Sequence, residues 1–448
     1  MSILKRTLIW LGISIPPFLF FLFLARSLND LPVTDDYSCV LAFLLQWKSE
    51  AGIQHIIQVA TFQVGPYRMM FEHAVVGVQY AILGHTDLKT LAILGDLLVI
   101  PLFGLLYLMW WECGRPRNYT LQMFVPASWI LFQLQYVTDL DSATASLQLI
   151  PVILFAVLAC FLATKSGTIV FLGALLSLML SIASNANGLF MIPIGIMIYL
   201  YRREFKRLIG WCCCGVVACV VYFVPHHPAA LTLNTDAGSN IVVSVLQHIS
   251  LVYALAFLGD IATIRNPFPA VLFGSVLVGV FIFATGDRLF ARRPALFYSS
   301  LFFIVTGLAV SGLRSNLGLV TALGCRYRIN STMLVILLYF YLVDRLYGIR
   351  VKPLIIRVSA TAFGVLLIGF NVASDLAGEK YMLTMQHKVV TAIVRWKQHE
   401  PRPPMSASVP DDFTAENESR GIFEPVEPTL SDSIREGILI LPKLPAGN

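Results

Sequence analysis

Two adjacent carboxylates, Asp35 and Asp36, stand in "TDDYSC" a few residues after an apolar run, Leu8 to Ala25, that holds no charge. A carboxylate within hydrogen-bond reach of a hydroxyl takes its proton while that oxygen attacks an electrophilic carbon. Far along the chain, "GLRSNLGLVTALGCRYRIN" supplies Arg314, Arg326 and Arg328. Guanidinium groups fixed in a water-poor site stabilise the charge that develops on a departing phosphate. Between these stretches "GPYRMMFEHAVVG" supplies Arg68, Glu72 and His73, further candidates for substrate binding. Acid and cations together suit transfer of a sugar from a lipid phosphate, which leaves as an anion, to a hydroxyl acceptor. One carboxylate suffices as base. The second is then free to bind the acceptor or a divalent cation, Mg or Mn, so Asp35 and Asp36 are also the candidate metal ligands.

Each group has a plainer reading. Two aspartates in a loop form a solvated turn, a Glu-His pair at a helix start serves as an N-terminal cap, and arginines at helix ends snorkel to headgroups. Arg328 taken alone fits snorkelling, whereas Arg314 with Arg326 fits a phosphate site. A disulfide between Cys39 and Cys325 would tie acid to cation if their Cα atoms lay about 4.4–6.8 Å apart; separate thiols are the simpler expectation.

These residues need a scaffold, and the composition names its class. The chain is 57% hydrophobic and 13% charged, with mean hydropathy +0.75, against about 25% charged residues in soluble domains. Apolar blocks approach the ~20 residues that cross a bilayer as a helix and lack the alternation of barrel strands. The expected fold is therefore an all-α polytopic membrane protein with about eleven transmembrane helices. The spans are Leu8 to Ala25, Leu91 to Trp111, Leu121 to Val137, Leu147 to Ala163, Thr168 to Ser184, Asn187 to Tyr201, Leu208 to Val224, Phe268 to Thr285, Ala295 to Leu313, Met333 to Tyr347 and Leu354 to Val372. The first is expected to stay as an anchor, since no small-x-small cleavage site follows it. The net charge of +6 is scattered through short loops, which excludes a nucleic-acid surface.

Basic loops mark the cytoplasmic side. Lys5, Arg115, Arg117, Lys165, Arg202, Arg207, Arg288, Arg292 and Arg345 fall in alternate loops, and the opposite loops carry Asp30, Asp35, Asp36, Asp139 and Asp141. The N-terminus is thus expected in the cytoplasm and the C-terminus outside, at the plasma (inner) membrane. Residues 1–373 form the transmembrane domain, with a long first outer loop at 26–90 and a second at 225–267. Ala74 to Leu83 and Ile241 to Ile264 read as short interfacial or re-entrant helices. Residues 374–448 read as a polar, partly disordered outer tail, with Met382 to Trp396 a surface helix and Ile438 to Leu441 a docking strand.

"TDDY" after the first helix, "FEH" in the long first outer loop, the helix start "SNANGLFMIPIG" and "RSNLGLVTALGCRYRIN" before a late helix together resemble bacterial membrane proteins of the glycosyltransferase-C superfamily. That superfamily includes protein O-mannosyltransferases, the aminoarabinose transferase of lipid A and O-antigen-modifying glucosyltransferases. The resemblance covers most of Met1 to Val372. It implies a polyprenyl-phosphate sugar donor and catalysis on the outer face of the plasma membrane. Asp35 or Asp36 would match the catalytic carboxylate, and Arg314 and Arg326 the donor-phosphate ligands. Glu72 and His73 match a Glu-His pair of the relatives, in which an Arg often follows; here Ala74 follows. The tail matches no catalytic domain.

The expected function is an inverting hexosyl or pentosyl transfer to a hydroxyl on a glycolipid, polysaccharide or protein of the cell envelope. Two alternatives share the outer-face cations: a transporter or flippase of a lipid-linked or anionic substrate, and a polysaccharide polymerase. Asp96, the clearest ionisable residue inside a span, reads as a hydrogen-bonding group between helices.

Overall fold

The computed structural model describes residues 3–64, 67–112, 117–223, 249–263, 266–347, 353–397 and 426–442. In chain order its helices are α1 (Ile3–Ser27), α2 (Ala42–Ser49), α3 (Ile53–Thr61), α4 (Met70–Leu83), α5 (Leu88–Leu97), α6 (Val99–Trp111), α7 (Arg117–Leu131), α8 (Ala143–Ala163), α9 (Thr168–Ser184), α10 (Met191–Arg202), α11 (Phe205–Phe223), α12 (Leu251–Leu258), α13 (Pro267–Gly286), α14 (Leu289–Arg292), α15 (Pro294–Arg314), α16 (Arg328–Tyr347), α17 (Pro353–Lys397) and α18 (Val426–Arg435). Tyr37–Leu41 is a π-helical turn, and Leu134–Asp139, Asp260–Ala262 and Cys325–Tyr327 are 3₁₀ turns. Among the described residues the sheet-like pairings are two isolated bridges, Val64 with Tyr67 and Thr86 with Leu439.

The chain is an all-α polytopic membrane protein. Among the described residues eight helical stretches are long and apolar enough to cross a bilayer: Ile3–Ser27, Leu88–Trp111, Ala143–Ala163, Phe205–Phe223, Pro267–Gly286, Pro294–Leu317, Arg328–Leu346 and Ala362–Val394. Shorter apolar helices cover Met70–Leu83, Leu121–Leu131, Thr168–Ser184 and Ala186–Arg202. Polar side chains set several starts. Ser142 Oγ accepts from Ala145 N–H ahead of α8, and Asn266 caps α13, with Pro267 at its first position, where the missing N–H costs nothing.

Small residues let the helices close on one another. A Cβ on Gly274 in α13 would overlap the Leu255 carbonyl of α12, and one on Gly95 in α5 would meet Ser146 of α8. Asp96 lies beside that crossing, and its Oδ1 accepts from Ser146 Oγ at 2.9 Å, the inter-helix role expected of it.

The bundle has two chemically distinct ends, joined by α8, whose 21 residues rise about 30 Å. At its C-terminal end Arg202 donates to the Thr164 carbonyl, Lys165 pairs with Glu112, and Arg207 pairs with Glu204. Arg293 reaches the Glu112 carbonyl at 3.0 Å and Arg345 reaches Asp287 at 3.3 Å. The loops rich in Lys and Arg therefore meet one another. At the N-terminal end of α8 lie the first long loop and the late arginines.

One segment differs from the sequence-based expectation. The last span and the expected surface helix Met382 to Trp396 are one continuous helix, α17, of 45 residues. Its polar groups explain the continuity: Asn371 Nδ2 donates to the Trp129 and Phe132 carbonyls, and Asp375 Oδ1 accepts from Leu134 N–H at 2.9 Å. The boundary drawn at 373 therefore falls inside a helix. The apolar stretch Ile241 to Ile264 is described from Ile249, where it forms only the 8-residue α12 before a turn at Asp260. Its first part, most of the second outer loop, and residues 398–425 of the tail lie outside the described residues.

Candidate functional site

The "TDDYSC" turn folds over the start of α8. Thr34 takes a left-handed backbone conformation with φ 44°, rare for a β-branched residue, and the π-helical turn Tyr37–Leu41 follows. The consequence is that the two carboxylates face different surroundings. Asp36 turns inward with 1% of its surface exposed. Its Oδ2 accepts from Val33 N–H at 3.0 Å and its Oδ1 from Thr144 N–H at 2.9 Å. Burial pushes its carboxyl up to about 6 against those hydrogen bonds.

Asp35 points the other way, and Arg326 Nη1 donates to its Oδ2 at 2.9 Å. Both side chains keep contact with solvent, 48% exposed for Asp35 and 39% for Arg326. The early acid and the late cation are separated by 291 positions in the chain and meet at one end of the bundle.

The other candidates divide into groups near this pair and groups committed elsewhere. Arg314 Nη2 donates to Tyr67 Oη at 3.2 Å, and its guanidinium lies 5.6 Å from the Tyr327 ring centroid, a cation–π distance. Arg328 Nε lies 3.4 Å from the buried Oδ1 of Asp260, and its Nη1 donates to the Gln135 carbonyl at 3.3 Å. Burial raises Asp260 to about 6, opposed by Arg328. Arg68 is buried and donates to the Ala60 and Val221 carbonyls at 3.1 and 3.3 Å, tying α3 to α11.

Glu72 and His73 begin α4 but serve different purposes. Glu72 is fully buried. Its Oε1 accepts from Thr144 Oγ1 at 2.9 Å and its Oε2 from Gln148 Nε2 at 3.3 Å. Thr144 thus binds Asp36 through its backbone and Glu72 through its side chain. Burial lifts Glu72 to about 8. His73 stacks on Phe43 with ring centroids 4.6 Å apart, and burial pulls it down to about 3, so the ring is neutral. His73 is a packing residue, and only Glu72 of the pair connects to the acid turn.

Reading the sequence missed the acids behind Arg326. Asp139 and Asp141 entered only as topology markers, yet Asp139 is fully buried and burial raises it well above the usual range, opposed by Arg326. Burial raises Asp141 to about 7, again opposed by Arg326. A spacing of two in "TDLDS" between spans was the available signal.

A divalent metal does not fit these donors. Both oxygens of Asp36 are held by N–H groups, Asp35 is paired with Arg326, and no group of three or more His, Cys, Asp or Glu among the described residues is placed to hold an ion. Cys39 is a buried free thiol; the side chain of Cys325 lies outside the described residues. No protein-family model, no curated protein and no solved structure matches the chain.

Proposed function

We propose that this chain is an integral membrane glycosyltransferase that moves a sugar from a polyprenyl-phosphate donor to a hydroxyl acceptor on the outer face of the plasma membrane. The observation that carries the reading is the 2.9 Å contact between Asp35 and Arg326, a solvent-reachable base beside a fixed cation at the end of an apolar bundle. In this reading ionised Asp35 accepts the acceptor's hydroxyl proton while the acceptor oxygen bonds to the anomeric carbon. The bond from that carbon to the phosphate oxygen breaks, and its electron pair leaves on the lipid phosphate. Arg326, with Arg314 at the rim, balances the charge that appears there. A single attack from the opposite face inverts the anomeric carbon. Asp36 and Glu72, both anchored on Thr144, position the turn, and Arg328 holds the Asp260 turn in place. No step uses a metal.

The reading includes eleven crossings, with the basic end in the cytoplasm. Supporting it, α7, α9 and α10 are short but each runs from the basic end to the acid end or back. α9 starts beside Lys165 and ends at Asn185, which reaches Gln148 at 3.5 Å.

The test is transfer by purified protein in lipid nanodiscs, given synthetic polyprenyl-phosphate hexoses and hydroxyl acceptors, with products read by mass spectrometry. Asp35→Asn is expected to lower the rate about 10²–10⁴-fold without changing thermal stability. Asp36→Asn is expected to destabilise by about 1–3 kcal/mol, because an amide NH₂ would face a backbone N–H. Full transfer by Asp35→Asn would sink the reading.

One observation favours a second reading, a carrier for a lipid-linked anion. Asp96 is buried inside a span, and Ser146 Oγ joins it to the Asp139 carbonyl at 3.0 Å, a polar thread running from the site into the bundle. A carrier would move the labelled donor across the bilayer intact, with Asp96→Asn abolishing movement.

A further inference from the structure

The C-terminal segment was the part of the chain with no assigned role, and it lies against the turn that carries Asp35. Upstream of the acids, Leu31 and Val33 pack on Val389 and Ile393 of α17, with Trp396 and Leu441 at the edge of that cluster. Downstream, Tyr37, Val40, Leu41 and Leu44 share a core with Leu430 of α18 and with Ile438 and Leu439. Ile438 and Leu439 are 0% and 1% exposed. Backbone pairing fixes the register: Thr86 N–H donates to the Ile438 carbonyl at 2.8 Å, and Thr86 bridges to Leu439. Lys48 of α2 closes the contact on Glu436 at 2.9 Å. Gly437, with φ 68°, makes the sharp turn between α18 and this extended segment, where a residue with a Cβ is disfavoured.

Between the two clusters sits Thr34 at φ 44°. A β-branched residue persists there only where its surroundings over-determine it. We infer that the C-terminal segment, α17 beyond Asp375 together with 430–441, is an intramolecular strap that holds the Thr34 turn in its left-handed form and so keeps Asp35 against Arg326. The residues of the strap are positioning residues; they touch no reacting atom. Its effect on rate rests on the glycosyl-transfer reading above, whereas its effect on the turn does not.

The experiment uses the full chain with Ile438→Asp, which places a charge in the buried strap contact, and Ile438→Ala as a milder form should the first fail to fold. Hydrogen exchange is read at Tyr37–Leu41 and, as an internal reference, in α8. The strap predicts at least tenfold faster exchange at Tyr37–Leu41 with α8 unchanged, and at least a tenfold fall in kcat for transfer with donor KM unchanged. It also predicts that adding Thr34→Gly, which removes the backbone penalty at that position, recovers part of the lost kcat. Unchanged exchange at Tyr37–Leu41, or faster exchange with undiminished transfer, overturns the strap. Absence of transfer by the unaltered chain would instead count against the glycosyl-transfer reading, and the exchange arm would still decide whether the segment restrains the turn.

Discussion

Glu72 has no exposed surface, and both of its oxygens accept hydrogen bonds from α8. Those bonds favour the ionised form, but burial outweighs them and lifts the group from 4.5 to about 8. The folded chain therefore keeps a proton that the unfolded chain has released, and the stabilisation this provides is complete below pH 4.5 and is lost as pH rises through 8. Asp36 and Asp141 act in the same direction but have titrated by about 6 and 7. Between pH 7 and 8 Glu72 contributes about 1 kcal/mol of that loss, and Asp139, which burial also raises well above the usual carboxylate range, acts in the same direction. Thermal unfolding should show the wild-type protein losing stability across that interval more steeply than Glu72→Gln; equal slopes would mean that Glu72 is ionised in the fold. At this scale the residue types singled out an acid and a cation that the fold brings together, Asp35 and Arg326. Which of two adjacent aspartates faces outward depended on the backbone at Thr34, and the burial of Asp139 depended on packing around "TDLDS". Neither is written in residue type.

Close approach of backbones determines how the helices hold these groups. Gly274 of α13 lies against the Leu255 carbonyl of α12, and Gly259, which ends α12, lies against the Ala270 carbonyl of α13. The turn directly after Gly259 carries Asp260, the partner of Arg328. Gly274→Ala must push the two helices apart, an overpacking that costs about 1–3 kcal/mol, and it should loosen the Asp260 turn. The expected result is a lower thermal midpoint with faster hydrogen exchange at Asp260–Ala262. An unchanged midpoint would show that α12 shifts freely. Apolar runs made the spanning helices legible because length and hydropathy suffice for them. The continuity of α17 was not, because Asn371 and Asp375 look like the end of a span until the Trp129, Phe132 and Leu134 backbone groups they satisfy are known. Ile438 to Leu441 stood out as a short apolar run in a polar tail, and it pairs through one isolated bridge with Thr86, a target the residue types did not name.

Orientation is a property of the whole molecule, and the two ends of the bundle constrain it. α1 leaves Lys5 and Arg6 near its start and brings Asp30 to its far end, where Asp30 Oδ1 accepts from Leu88 N–H at 2.7 Å. The start of α1 is thus remote from the acid end, while the C-terminal segment is fixed to that end through Thr86. Among the described residues eight helical stretches qualify by length and composition. The proposed topology adds α7, α9 and α10 to reach eleven crossings, and under it the excess of Lys and Arg would put the basic end in the cytoplasm. Single cysteines in a cysteine-free chain test this in intact cells with a membrane-impermeant maleimide. Asn266→Cys, at the start of α13 on the acid side, should label directly, whereas Ser166→Cys, beside Lys165, should label only after the membrane is opened. Labelling of both from one side would separate Asp35 from the outer face and remove the polyprenyl-phosphate donor from its reach.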